Sequence, residues 1–161
     1  GRIYELYHAE FEVSERPMTI FDTVKVGDFE MSDAITLRVV PDELMRDSFG
    51  KSTHLRMAAS YLNCVLFVVD PQDILYWLYK TEEQIDIAGH ELSPTTAKRH
   101  LLEATDLLSL RVGVYVLSDV PNLQFIAWFI KNFVNPEYLE PPMVLMRNHI
   151  EAVILLLRET K

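Results

Sequence analysis

The sequence predicts a mainly α fold: an antiparallel helical bundle over residues 41–161, preceded by a small β-rich segment over residues 1–40. Three observations carry this expectation. The hydrophobic period changes from two to about 3.6 at Pro41. Four later apolar segments are opened by proline, at the helical position whose amide has no partner to lose. The connections between those segments are short, as between antiparallel neighbours.

Before Pro41, Tyr7, Ala9, Phe11 and Val13 share one face of an extended segment while His8, Glu10 and Glu12 share the other. Arg16-Pro17 ends that strand. Thr19 to Val26 is rich in β-branched residues, Gly27-Asp28 reads as a tight turn into Phe29, and Ala34 to Val40 is a further strand candidate. After Pro41, Leu55, Ala58, Ala59, Leu62, Val65, Leu66 and Val69 recur at spacings of three and four and predict one buried helix face. Asp70 caps a helix opened by Pro71, for which Gly89 is a candidate stop. Ser93 caps a second at Pro94, Pro121 starts a third and Pro141-Pro142 a fourth. Thr105 is positioned to cap a fresh helix within the long stretch from Pro94 to Leu117. The expected core includes Leu62, Leu66, Leu78, Leu108, Ile126, Ile130 and Ile154.

A chain of 161 residues is long enough to bury a full core as one domain, or one domain with an appendage. Its net charge is −9, with 11 acidic and 5 basic side chains in residues 1–50 and 13 and 10 in residues 51–161. No basic stripe exists for phosphates to follow, so nucleic acid is not an expected partner, and anionic membrane surfaces are disfavoured for the same reason. The longest apolar run, Val65 to Val69, is too short to cross a bilayer. Cys64 is the only cysteine, which excludes an internal disulfide and fits a reducing, cytoplasmic compartment. In its apolar run it reads as a small buried hydrophobe. No signal-peptide pattern follows Arg2.

The last third of the chain carries the most specific pattern. Thr105-Asp106-Leu107-Leu108 opens one helix, Pro121-Asn122-Leu123 the next, Asn135-Pro136 closes that one, and a final apolar helix ends at Arg158-Glu159-Thr160-Lys161. Upstream, Asp70-Pro71-Gln72-Asp73-Ile74-Leu75 and Lys80-Thr81-Glu82-Glu83-Gln84-Ile85 follow at matching distances. This order and spacing resemble the Vps-nine domain of Rab guanine-nucleotide exchange factors, most closely the alsin branch. The resemblance covers about residues 50–161. It implies a helical domain that binds an early-endosomal Rab-type small GTPase, in the cytoplasm and recruited to endosomes.

The family's signature chemistry is largely substituted here. Exchange factors of this kind thrust a carboxylate into the GTPase's Mg²⁺ and phosphate site, where it repels the β-phosphate and offers the phosphate-binding lysine another partner. That carboxylate is the first Asp of Asp-Asp-Leu-Leu-Pro, and Thr105 stands in its place. Asp106 is the candidate substitute, although adjacent helical side chains point about 100° apart. Read without function, Asp106 is a first-turn acid favoured by the helix dipole. Leu145 matches the tyrosine that contacts the switch region, Asn148-His149 the Thr-Thr pair, Pro141-Pro142 the Gly-Glu turn, Ser109 the helix proline, and Gly113 a usual aromatic. The resemblance thus implies GTPase binding through Thr105, Asp106, Ser109, Val112, Leu145, Asn148 and His149, with exchange weak or lost.

Other chemistry is poorly represented. His90, His100 and His149 are scattered, with no His-x-x-x-His pair and no cysteine cluster, so no metal is expected. Five glycines and no phosphate loop, Gly-x-Ser-x-Gly or triad leave no cofactor and no familiar nucleotide-binding enzyme. Tyr76, Trp77 and Tyr79 read as core plus rim, and Trp128, Phe129 and Phe133 as core. The alternative to a GTPase-binding domain is a non-catalytic helical module that assembles with another protein. The two diverge on Leu145 and Val112: an exposed apolar groove there favours the first, and burial the second.

Overall fold

The computed structural model describes residues 24–29, 41–92, 104–118, 120, 123–135, 137 and 140–159. The described residues are mainly helical. In chain order the α-helices are α1 (Met45–Phe49), α2 (Thr53–Asn63), α3 (Pro71–Leu92), α4 (Ala104–Leu117), α5 (Leu123–Phe133) and α6 (Pro141–Glu159). Short 3₁₀ segments occupy Val26–Asp28 and Cys64–Phe67. The strand candidates within residues 7–13 and 34–40, and the Ser93-Pro94 and Pro121 helix openings, lie outside the described residues.

The part of the N-terminal region that is described forms one isolated antiparallel bridge, Lys25 with Leu44. Around it the Val26 amide donates to the Glu43 carbonyl at 3.0 Å and the Met45 amide to the Val24 carbonyl at 2.8 Å. The Phe29 amide donates back to the Val26 carbonyl at 3.3 Å, closing the turn expected at Gly27-Asp28. Val24, Val26 and Phe29 are buried against the helices, so this segment contributes to the same core.

Pro71 and Pro141 are the first residues of their helices, where fixed φ helps and no amide is missed. Asp70 accepts from the Gln72 amide at 2.8 Å, and Asn135 accepts from the Glu137 amide at 3.0 Å beyond the end of α5. Ser52 caps α2, its hydroxyl accepting from the Leu55 amide at 3.3 Å. Ser52→Ala is therefore expected to lower stability by about 1 kcal/mol, which urea denaturation would measure.

Helix α4 decides the architecture. Its apolar residues run all round, so it must be covered on every side. Every residue from Ser109 to Val116 is buried, and α1, α2, α3 and α6 all pack on it. Helix α3 is the second organiser, in contact with α2, α4, α5 and α6. Leu62, Leu78, Ile126 and Ile130 are in the core as expected, while Leu108 and Ile154 are only half-buried.

Several expectations are corrected. Leu66 and Val69 are 38% and 64% exposed, because α2 ends at Asn63 and the chain tightens to a 3₁₀ turn, which moves them off the 3.6-residue stripe. Gly89 does not stop α3, which continues through it to Leu92 with Gly89 buried. Thr105 lies inside α4, which starts at Ala104, so it is not the cap. Phe133 is 52% exposed at the end of α5, although its ring packs on Phe129 with centroids 4.9 Å apart. Cys64 is half-buried, its thiol directed at the Ser60 carbonyl.

Candidate functional site

The residues singled out by the sequence fall on two helices that pack against one another, α4 and α6. On α4, Asp106, Ser109 and Val112 are 1%, 2% and 0% exposed. Asp106 and Ser109 are both engaged in contacts within the fold. The burial follows from the all-round apolar character of α4 and leaves none of the three side chains facing outward. Thr105 is in the first turn of that helix. On α6 the situation is opposite: Leu145 is 51% exposed, Asn148 is exposed, and His149 is half-buried. Of the two sides expected to line a groove, Leu145 is thus exposed and Val112 is buried, so the two do not share an open surface.

What joins the two helices chemically is a group of charges that the sequence reading did not assemble. Arg111 Nε of α4 donates to Glu82 Oε1 of α3 at 2.6 Å. His149 Nδ1 of α6 lies 3.3 Å from the same oxygen, within ion-pair distance but out of hydrogen-bond alignment. The Glu82 and Arg111 side chains are 14% and 11% exposed, so the node is largely withdrawn from water. Burial pushes the Glu82 carboxyl up, but the contacts and charges of His149 and Arg111 outweigh it and hold the carboxyl below its ordinary range. Asp86, one turn on at the solvent edge, is raised by partial desolvation and by the charge of Glu82. The phenol of Tyr115, buried in α4, is also raised, by burial and by Glu82. The signal was present in the sequence: Arg111 is the lone basic residue of an apolar helix, and a buried arginine needs a partner. Its partner, 29 residues upstream, is supplied only by the fold.

A second histidine contact joins α2 to α3. His54 Nδ1 is 2.8 Å from Gln84 Oε1, and its Nε2 is 3.1 Å from Glu91 Oε1. It borders a depression of about 660 Å³ that also includes Glu43, Lys51 and Ser52. Lys51 is paired to Glu43 at 2.6 Å, so both Lys51 and His54 already face carboxylates in this depression. Among the described residues, no group of three or more His, Cys, Asp or Glu side chains could hold a metal ion. Among them, too, no helix is long and apolar enough to cross a membrane.

The remaining surface feature is apolar. Phe67 is 85% exposed beside Val69 at the corner between α2 and α3, and Leu155 is 58% exposed on α6. Comparison with family models, with curated proteins and with solved structures found no match.

Proposed function

We propose that the chain is a Vps-nine-like domain that binds an early-endosomal Rab-type small GTPase, with guanine-nucleotide exchange weak or lost. In this reading residues 41–161 are an antiparallel helical bundle and residues 1–40 a small β-region, and the protein acts in the cytoplasm with recruitment to endosomes. The observation that carries it is the split between α4 and α6. Leu145 and Asn148 of α6 are open to a partner, whereas Asp106, the one carboxylate in the first turn of α4, is buried. A surface that can dock and a carboxylate that cannot reach a nucleotide site together suit binding without exchange. Thr105 offers no charge in its stead.

Nucleotide release from a panel of Rab GTPases tests this. Binding is expected with little acceleration of release. Thr105→Asp is expected to raise exchange, and Asp106→Asn to change it little. Strong exchange by the unaltered chain that Asp106→Asn abolishes would mean that Asp106 is the working carboxylate. The burial of Val112 and Ser109 favours a second reading, a non-catalytic helical module that assembles with a different protein. Failure to bind any Rab, in either nucleotide state, would select it.

A further inference from the structure

The corner between α2 and α3 displays apolar surface that the fold does not use. Val65 is buried and Val68 packs against the core, whereas Leu66, Phe67 and Val69 between and beyond them are exposed, Phe67 at 85%. Connections between helices are ordinarily polar, with Gly, Asn, Asp or Ser supplying the turn. The backbone here asks for no aromatic residue, since Cys64–Phe67 is a 3₁₀ segment and Val68 is extended. The corner is nevertheless held firmly. Its 3₁₀ segment packs on both α2 and α3, Asp70 accepts from the Gln72 amide, and Pro71 fixes the first φ of α3. On the next turn Tyr76 is 43% exposed, with its ring edge-on to Trp77 at 5.2 Å and the Lys80 amine over it at 5.9 Å. Aromatic anchors that are ordered beforehand lose little freedom when a partner arrives.

The charges of this corner have one sign, and they choose the occupant. Between Arg56 and Lys80 the only charged side chains are Asp70 and Asp73, both exposed. Asp73 shares the outer face of α3 with Tyr76, three residues on. Lys80 is already paired with Glu83 at 3.2 Å. A second copy of the chain, seated symmetrically, would set Asp70 and Asp73 against their own equivalents, and like charges opposed in this way disfavour association. An anionic bilayer surface is repelled for the same reason. A segment that covers Phe67 with aliphatic side chains and sets a lysine or arginine beside Asp73 satisfies both the apolar surface and the charge. We infer that this corner is a docking site for a basic amphipathic segment of another protein, with Phe67 as the anchor and Asp73 as the charge that orients it. It uses none of the α6 residues on which the GTPase reading depends, and it stands or falls separately from that reading.

The test uses three fluorescent helical peptides that share one aliphatic frame and carry Arg, Gln or Glu at its flanks. Each is titrated into the full chain at physiological ionic strength and followed by anisotropy. The Arg peptide should bind, and about tenfold or more tightly than the Glu peptide. Phe67→Ser should weaken its binding on the order of thirtyfold. That variant keeps its fold, because the ring lies outside the core, and circular dichroism checks it. Asp73→Lys should abolish the preference for Arg over Glu, which a general attraction of cations to a chain of net charge −9 would not do. No binding of the Arg peptide, binding that Phe67→Ser leaves unchanged, or a preference that survives Asp73→Lys overturns the inference. Two further outcomes also overturn it by naming another occupant. Dimerisation in sedimentation equilibrium that Phe67→Ser abolishes would make it a second copy of this chain. Binding to phosphatidylcholine vesicles that the same substitution abolishes would make it a lipid surface.

Discussion

Phe49→Ala is expected to lower the free energy of unfolding by about 3–5 kcal/mol, among the largest effects of any single substitution in this chain. Phe49 is 1% exposed at the end of α1, and its ring lies against Gly113 in the middle of α4. A Cβ built on Gly113 would overlap the Cδ2 and Cε2 atoms of that ring. Gly113 is thus absent a side chain for a packing reason, not for a backbone one, since no described glycine has positive φ. Gly113→Ala should accordingly destabilise by about 1–3 kcal/mol, despite the helix propensity that alanine adds. In the Phe49→Ala background the same change should be neutral or stabilising, because the ring it strikes is gone and about 1 kcal/mol of propensity remains. Urea denaturation of the four variants closes the cycle. Additive effects would show that the ring and the glycine do not share one space.

This contact also marks where the sequence was informative and where it was not. Gly113 stood out as a departure from the Vps-nine pattern, which has an aromatic residue there, yet nothing in the sequence says that Phe49 supplies a ring from another helix. Local signals were legible. Pro71 and Pro141 open their helices, and Leu62, Leu78, Ile126 and Ile130 are in the core, because capping and periodicity act within a few residues. Leu66 was misread because a change of helix type shifts every later side chain and leaves no compositional trace. The site was legible only in part. Leu145 and Val112 look alike as sequence, and their opposite exposure follows from α4 being enclosed by four helices. Arg111 in an apolar helix requires an anion, but nothing in the sequence distinguishes Glu82 from Glu83 or Asp86 as its partner, and the fold pairs it with Glu82.

Removing Glu82 should have an effect as large as removing Phe49, through electrostatics and not through packing. Glu82→Ala leaves the Arg111 guanidinium, 11% exposed, without its counter-ion, and breaking a buried pair in this way costs about 3–5 kcal/mol. The loss should depend on pH in a defined direction. The Glu82 carboxyl is held below its ordinary range in the folded chain, so folding favours the ionised form. Its contribution is fully present above the carboxyl's unfolded value, about 4.3, and disappears as pH falls through the lower folded value. Asp86 runs the other way: its carboxyl is raised in the folded chain, so its share of stability improves as pH falls. The two slopes partly cancel in the unaltered protein, which makes the difference between variants the informative quantity. Urea unfolding of the unaltered chain and Glu82→Gln from pH 7 to pH 3 should show a wide gap near neutrality that narrows below about pH 4. Asp86→Asn should leave stability unchanged or slightly improved near neutrality. A gap that stays constant across this range would mean that the carboxylate charge is irrelevant and that Glu82 acts only by filling space between α3, α4 and α6.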